Sequence, residues 1–423
     1  MKIWLLQRNE PTPHDNDGNK RLFRTGIMAQ MLSEHGHEVV WWTSNFDHYN
    51  RCHRFKGNIR KVVKGKYHVH YLQSRGYSRN ISLDRVAANK EVASSFAKEA
   101  VNDPNVPDLI IASIPTAELA WQAIKYAKSH NIPVILDVRD LWPDHIVSVA
   151  PIWLIPFARL VTLPLSRLTS KVFAQATGIF GLTDSFIEWG LNYAGRERNC
   201  YDRVVPMGYI KNSISESHLN EESQFWDTLG VKDDGDYLIV TFIGNIGRSF
   251  DLNVILDAAQ LLQVRGKRVK FVICGDGELA TALSARAVDL ENVVMPGWIN
   301  KNQIKTLLMR SDVGLLPYVN AENFIKNVPN KPGEYLSEGL FLLSSLSKGV
   351  LFEFIKKYDC GISYENNALD LTDKLCFYVD SPELLKRKKE NAINAFDQEF
   401  DGEKVYSEMI DFLENTFINS NSY

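Results

Sequence analysis

The chain predicts an α/β fold with parallel sheets divided between two domains, on three observations. Apolar runs of strand length alternate with helical periodicity, and several of those runs stop at a glycine turn that opens a helix. A length of 423 residues also exceeds what one hydrophobic core usually organises, so two units of roughly 200 residues each are expected.

The C-terminal half is the clearer. Tyr237 to Ile243 reads as a buried strand ending in Gly244-Asn245-Ile246-Gly247-Arg248, after which Leu252, Ile255, Leu256, Ala259 and Leu262 recur at helical spacing. Phe271 to Cys274 reads as a second strand, ending in Gly275-Asp276-Gly277-Glu278-Leu279. Strand, glycine turn and helix N-terminus together make an anion cradle, because a residue without a Cβ lets backbone amides approach a pyrophosphate. Gly297-Trp298 and the run Asp312 to Pro317 supply further strand ends, and open parallel sheets bind ligands along that edge. Then comes Pro329-Asn330-Lys331-Pro332-Gly333-Glu334-Tyr335-Leu336-Ser337-Glu338-Gly339. The two prolines hold an extended approach, Asn330 suits a turn, and Glu334 opens a short helix as an exposed carboxylate able to accept two hydrogen bonds from a ribose diol.

The N-terminal half repeats the pattern. Ile3 to Leu6 is a strand, a polar loop from Arg8 to Lys20 carries Gly18, and a helix follows with Phe23, Ile27, Met31, Met28 and Leu32 on its buried side. Gly36 ends that helix, and Val39 to Trp42 is the next strand. Asp108 to Ile111 and Val134 to Leu136 are further strands, the latter running into Asp137-Val138-Arg139-Asp140-Leu141-Trp142-Pro143. As a strand-end cluster, Arg139 and Asp140 hold substrate hydroxyls, or Asp140 caps the next segment; His145 follows closely. The polar, poorly periodic stretch from Pro206 to Asp236 marks a hinge, which divides the chain into 1–207, 208–403 and a last helical segment, 404–423, with Val405, Met409, Phe412, Leu413 and Phe417.

Composition excludes several classes. A net charge of −3 gives no global pull toward nucleic acid, although Arg51 to Arg79 is basic and aromatic; a solvated mobile loop or a lipid-phosphate contact accounts for it better. His68 and His70 share a strand face without a carboxylate or cysteine at ligand spacing, so no metal is expected. Five scattered cysteines (52, 200, 274, 360 and 376) read as reduced thiols in a cytosol, and Met1 to Leu6 turns polar too early for a secretory signal. The stretch Trp153 to Phe173 is apolar with three charges, all positive: Arg159, Arg167 and Lys171. Such a segment suits an anionic membrane surface; the competing reading is a core helix, interrupted by Pro156 and Pro164.

The order of these motifs resembles the family 4 glycosyltransferases of the GT-B fold, closest to the bacterial branch that builds O-antigen and capsular polysaccharide. The Pro-Asn-Lys-x-x-Glu-Tyr segment at 329–335 and the Arg-Asp-Leu-Trp-Pro string at 139–143 carry the likeness. The resemblance implies two Rossmann-like domains facing a cleft, an N-terminal acceptor domain and a C-terminal donor domain, with the last helix returning to the N-terminal one. It implies transfer of a hexosyl or N-acetylhexosaminyl group from a UDP-sugar, with retention and without metal, to a lipid-linked glycan at the inner face of the cytoplasmic membrane. UDP-sugar is then a co-substrate, and no cofactor is needed. Of the family's two donor-binding glutamates the second falls on Glu334 and the first on Lys326, and its Gly-Arg pair reads Gly244-Asn245. By the same resemblance Gly244, Asn245, Gly247, Arg248, Gly277, Trp298, Ile299, Lys326, Asn330, Lys331 and Glu334 line the donor side; Gly18, Arg139 and Asp140 line the acceptor side. Arg248 and Lys331 would stabilise phosphate, and Trp298 and Ile299 would flank the base. Candidates for catalysis are Asp140, His145, Arg248 and Lys331, with no general base assigned. A sugar-nucleotide epimerase, or an inactive subunit supporting a partner enzyme, are the alternative readings.

Overall fold

A computed structural model describes residues 1–15, 22–63, 66–79, 82–148, 150–211 and 213–418. Two compact units result: Met1–Pro206 with Val405–Tyr423, and Met207–Lys404.

The N-terminal unit is built on an eight-stranded sheet. In spatial order its strands are Arg203–Val204, Gly178–Gly181, Val134–Val138, Leu109–Ile114, Lys2–Leu6, Glu38–Ser44, Tyr67–Leu72 and Ile59–Val63. Every pairing is parallel except the last, where Ile59–Val63 runs antiparallel at the edge. Helices cover both faces, so the central strands Lys2–Leu6, Leu109–Ile114 and Val134–Val138 are buried on both sides, which is why these segments read as continuous greasy runs. Ile3 and Leu5 share one face with Val39, Trp41, Leu109 and Ile111. On the other, Trp4 stacks on Tyr126 at 5.0 Å and meets Trp42 edge-on at 4.9 Å. The final helix, Gly402–Phe417, lays Val405, Tyr406, Met409, Ile410 and Leu413 into the first of these faces.

Three sequence expectations are corrected in this unit. The helix Arg24–Glu34 buries Arg24, Thr25, Met28, Ala29 and Leu32 and leaves Ile27 and Met31 at its flanks, because its inward stripe begins with a charged residue. The loop after the first strand is polar yet buried, with Arg8, Glu10, Thr12 and Asp15 all inside. The basic stretch after Arg51 is not a mobile loop: it forms the strands Cys52–His53, Ile59–Val63 and Tyr67–Leu72. Within it Arg54 is a buried clamp on Asp15 and on the carbonyls of Ser44, Phe46 and Glu10.

In the C-terminal unit six parallel strands lie in the order Val293–Gly297, Val269–Cys274, Leu238–Ile243, Val313–Leu316, Phe341–Ser344 and Gly361–Ser363. Counted along the chain this is 3-2-1-4-5-6, so the winding reverses between the first strand and the fourth. Leu238, Val240 and Phe242 feed one core and Ile239 and Ile243 the other, the period-two alternation of a sheet covered on both faces.

Candidate functional site

The reversal in the C-terminal sheet leaves a crevice at the carboxyl ends of the strands Leu238–Ile243 and Val313–Leu316, where open α/β sheets bind ligands. What fills its wall is the helix Asn330–Ser337. Tyr335 fixes that helix: its hydroxyl accepts from the backbone N–H of Ile243 at the sheet end, at 2.9 Å. Its ring rests on Gly314, where any Cβ would collide with it.

This helix starts four residues earlier than the sequence suggests. Pro332 lies in its first turn, where the missing N–H would have had no helical acceptor, so proline continues the helix there. Glu334 is consequently inside the helix and buried, at 8% exposure, and does not open it as an exposed group. Asn330 is exposed at the helix start, and Lys331 sits one turn before Glu334.

Lys331 reaches back over the first glycine turn. A Cβ on Gly244 would lie 2.6 Å from Lys331 Cε and 2.7 Å from Nζ. The ammonium stands 4.3 Å from the centre of the Phe250 ring and 5.5 Å from that of Phe242. Among the described residues it makes no hydrogen bond or ion pair. Burial pushes its pKa down from 10.5 to about 8, against the opposing charge of Glu334.

The two glycine turns interlock. Gly244 N–H donates to Cys274 carbonyl at 2.9 Å, Ile246 N–H to Asp276 carbonyl at 2.9 Å, and Gly275 N–H to Gly297 carbonyl at 2.8 Å. Gly275 has φ +133, and a Cβ on it would overlap the carbonyl oxygen of Gly244. Only glycine permits that approach. Gly247 and Gly277 belong to the same pair of turns, with Asn245 exposed beside them.

Other residues expected on the donor side stand farther out. Arg248 is 84% exposed and pairs with Glu278 at 3.3 Å, a surface contact that leaves its head in solvent. Trp298 is 76% exposed whereas Ile299 is buried, so the two present opposite environments. Lys326 ends the four-residue helix Glu322–Ile325 and pairs with Glu322 at 3.3 Å.

In the N-terminal unit the expected acceptor residues divide. Gly18 lies outside the described residues. Arg139 is taken up by the fold: Nε donates to Asp137 at 2.6 Å, Nη2 to Thr25 at 2.9 Å, and Nη1 pairs with Glu10. Arg24 closes the network, donating to Asp137 at 2.9 Å and to the Pro206 carbonyl at 2.7 Å. Burial alone would raise Asp137, but the charges and hydrogen bonds of Arg139 and Arg24 hold it below the usual carboxylate range. Asp140 remains nearer the surface, accepting from its neighbour Leu141 N–H at 2.8 Å and from Trp142 Nε1 at 3.0 Å. Burial pushes its carboxyl up, with the charge of His145 opposing. His145 keeps its Nδ1 buried and without a hydrogen-bond partner among the described residues. Among the described residues no group of three or more His, Cys, Asp or Glu is placed to hold a metal ion.

Sequence reasoning missed Phe250 and Tyr335 in one unit and Glu10, Arg24 and Asp137 in the other. One signal was available: Arg24, Met28 and Leu32 recur every four residues, which puts a guanidinium on a helix's buried stripe.

The segment that holds the interlocked turns and the Lys331 helix, residues 230–395, matches the family described as Glycosyl transferases group 1. The match falls within the unit Met207–Lys404. Over 207 residues it is 26% identical to a protein of Escherichia coli (strain K12) named as the colanic acid biosynthesis glycosyltransferase WcaL, a match covering 47% of this chain and 51% of that one. The chain thus spans about half the length of the curated relatives it matches. Among solved structures it is similar to Anabaena Alr3699/HepE in complex with UDP (TM-score 0.68, 14% identity, covering 98% of this chain and 100% of that one). It is similar also to sucrose-phosphate synthase from Thermosynechococcus elongatus (TM-score 0.68, 12% identity, covering 99% of each). These likenesses establish the GT-B fold, and the group 1 domain coincides with its C-terminal Rossmann-like unit.

Proposed function

We propose that the chain transfers a sugar from a UDP-sugar to a hydroxyl of a lipid-linked glycan, with retention and without a metal ion. The observation that carries this reading is the placement of Lys331 and Glu334, one turn apart on a helix fixed at the switch point and set against the open backbone of Gly244. In that role Glu334 accepts hydrogen bonds from the ribose diol while Lys331 and the first-turn amides of its helix face the diphosphate. Gly244, Gly275 and Gly277 let backbone amides approach the same group. As the bond from the sugar's anomeric carbon to the β-phosphate oxygen breaks, a bond to the acceptor oxygen forms on the same face. The acceptor proton passes to the leaving phosphate, whose charge the cation and helix dipole stabilise. The UDP and UDP-glucose complexes of the similar Anabaena protein favour a uridine donor, and the name of the Escherichia coli relative favours a polysaccharide product.

A membrane-borne acceptor is favoured by the segment after residue 150. Ile152, Trp153, Phe157, Leu160 and Val161 are all more than 60% exposed at the start of the helix Ile155–Gln175, with Arg159, Arg167 and Lys171 exposed along it. The helix continues through Pro164, contrary to the break the sequence suggests. Pro164 lies on the exposed part of the helix, beside Leu160, Val161 and Leu163. Among the described residues no helix is long and apolar enough to cross a membrane, so the contact proposed is docking on the surface.

Calorimetry on Glu334→Gln tests the donor assignment. The substitution should weaken UDP and uridine alike by on the order of 1.5 to 3 kcal/mol, the range for a hydrogen bond to a charged group. Unchanged affinity for both would remove Glu334 from the ribose and the reading with it.

A further inference from the structure

The N-terminal sheet has its own reversal, between the strands Lys2–Leu6 and Leu109–Ile114, and a second cationic site lies at its carboxyl edge. Arg8 follows the first strand directly and is buried. Its guanidinium carbon is 5.5 Å from the centre of the Tyr77 ring. Arg51 stands over the same ring at 5.2 Å and Arg85 at 5.8 Å, so three guanidinium groups from distant parts of the chain converge on one phenol. The Tyr77 hydroxyl is 2.6 Å from His48 Nδ1. Arg8 is held by Asn89, yet its Nε is buried with no hydrogen-bond partner among the described residues. Arg51 adopts a left-handed backbone, φ +54, which is uncommon for a residue with a long side chain.

Gathering three like charges is unfavourable without an anion. The charges of Glu118, Asp47 and Asp140 also reach the cluster. Burial and the neighbouring Arg85 charge lower Arg8 to about 10. Burial first, then Arg85, Arg51 and Arg8, lower His48 to about 4. Arg85 also covers Trp142 at 4.9 Å, and Trp142 donates to Asp140. The cluster therefore adjoins the Asp140 and His145 pair.

We infer that Arg8, Arg51, Arg85 and His48, gathered around Tyr77, form an oxyanion site that takes a phosphoryl group of the acceptor. Tyr77, with Trp142 beside it, gives the guanidinium groups a fixed platform, and forked donors suit phosphate oxygens. Assigning the anion to the acceptor rests on the glycosyl-transfer reading above; the oxyanion site itself does not.

The test uses the full chain with inorganic pyrophosphate as probe, followed by calorimetry and by the His48 ring resonances. Pyrophosphate should bind the parent and raise the His48 pKa, and Arg51→Gln with Arg85→Gln together should weaken it by about tenfold or more. Lys331→Gln should leave the His48 response to pyrophosphate unchanged, which separates this site from any pyrophosphate held at the donor site. Arg85→Lys, which keeps charge, should retain most of the affinity and guards against misfolding of the double variant. Farnesyl diphosphate binding more tightly than pyrophosphate supports a lipid-linked source, and equal binding supports the site as one for the free anion. Absence of any His48 response in the folded parent, loss of that response in Lys331→Gln alone, or tighter binding of glucuronate than of pyrophosphate would overturn the inference.

Discussion

If Lys331 faces the donor diphosphate as proposed, nucleotide binding should be sensitive to pH in a range where few other groups titrate. Its ammonium is lowered from 10.5 to about 8 by burial, whereas a bound diphosphate would supply the countercharge that restores it. Binding of UDP should then take up a proton as the pH passes 8. At pH 9 about nine-tenths of Lys331 is neutral in the free protein, so UDP affinity should fall about tenfold relative to pH 7, or ~1.4 kcal/mol. If the diphosphate restores the pKa to its ordinary value, the whole span is worth ~3.4 kcal/mol and is exhausted near pH 10.5. Stability runs the other way. The folded chain holds fewer protons than the unfolded one between about 8 and 10.5, so the penalty present below pH 8 is relieved as the pH rises through that window. Calorimetry between pH 7 and 9.5, repeated in two buffers of different ionisation enthalpy, gives both the affinity and the protons taken up. Lys331→Arg should flatten the profile, and Lys331→Gln should lose neutral-pH affinity and the step together. Ionisation of the uracil ring is common to all three proteins and is subtracted. A parent whose UDP affinity is flat across this range, or a Gln variant that keeps the step, would refute the contact between Lys331 and phosphate.

Asp137→Asn should lower the stability of the N-terminal unit by on the order of 3 to 5 kcal/mol, because it leaves Arg24 and Arg139 as buried cations facing a neutral amide. A loss below 1 kcal/mol in chemical denaturation would show that Glu10 and Pro206 carry the network alone. Changing Arg159, Arg167 and Lys171 together to Gln should release the protein from anionic vesicles in flotation, at about 1 kcal/mol per charge, with its melting temperature unaltered. Flotation that persists would remove these cations from any membrane contact.

The sheets were legible for a simple reason: strands covered on both faces are apolar throughout, so Ile3 to Leu6, Val134 to Leu136 and Phe271 to Cys274 stand out as runs. The glycine turns were legible because a strand end that must admit a neighbouring carbonyl excludes every side chain, as at Gly275. Two proline readings failed for the same cause. Proline disrupts a helix interior through its missing N–H, but Pro332 lies in a first turn, where that N–H has no helical acceptor, and Pro164 lies on an exposed stretch of its helix. The charged networks were illegible because their partners are remote: Arg24 and Asp137 are 113 positions apart, and nothing local in either segment requires the other. Arg139 was seen as a strand-end cation, but only the fold shows that Asp137, Glu10 and Thr25 already occupy it.

The last helix has a consequence for how the molecule is made. Its residues from Val405 onward complete the core around Ile3, Leu5, Val39 and Trp41, although the whole of Met207–Lys404 is synthesised in between. The sheet made before Met207 is thus finished only after Lys404 has been made. Until the helix follows, Leu5, Trp41 and Ile111 lie bare on a nascent sheet, while the later-made unit already has all of its strands. A chain cut short after Lys404 would retain all of Met207–Lys404 and yet leave the N-terminal unit's core open, a state suited to capture by chaperones and proteases.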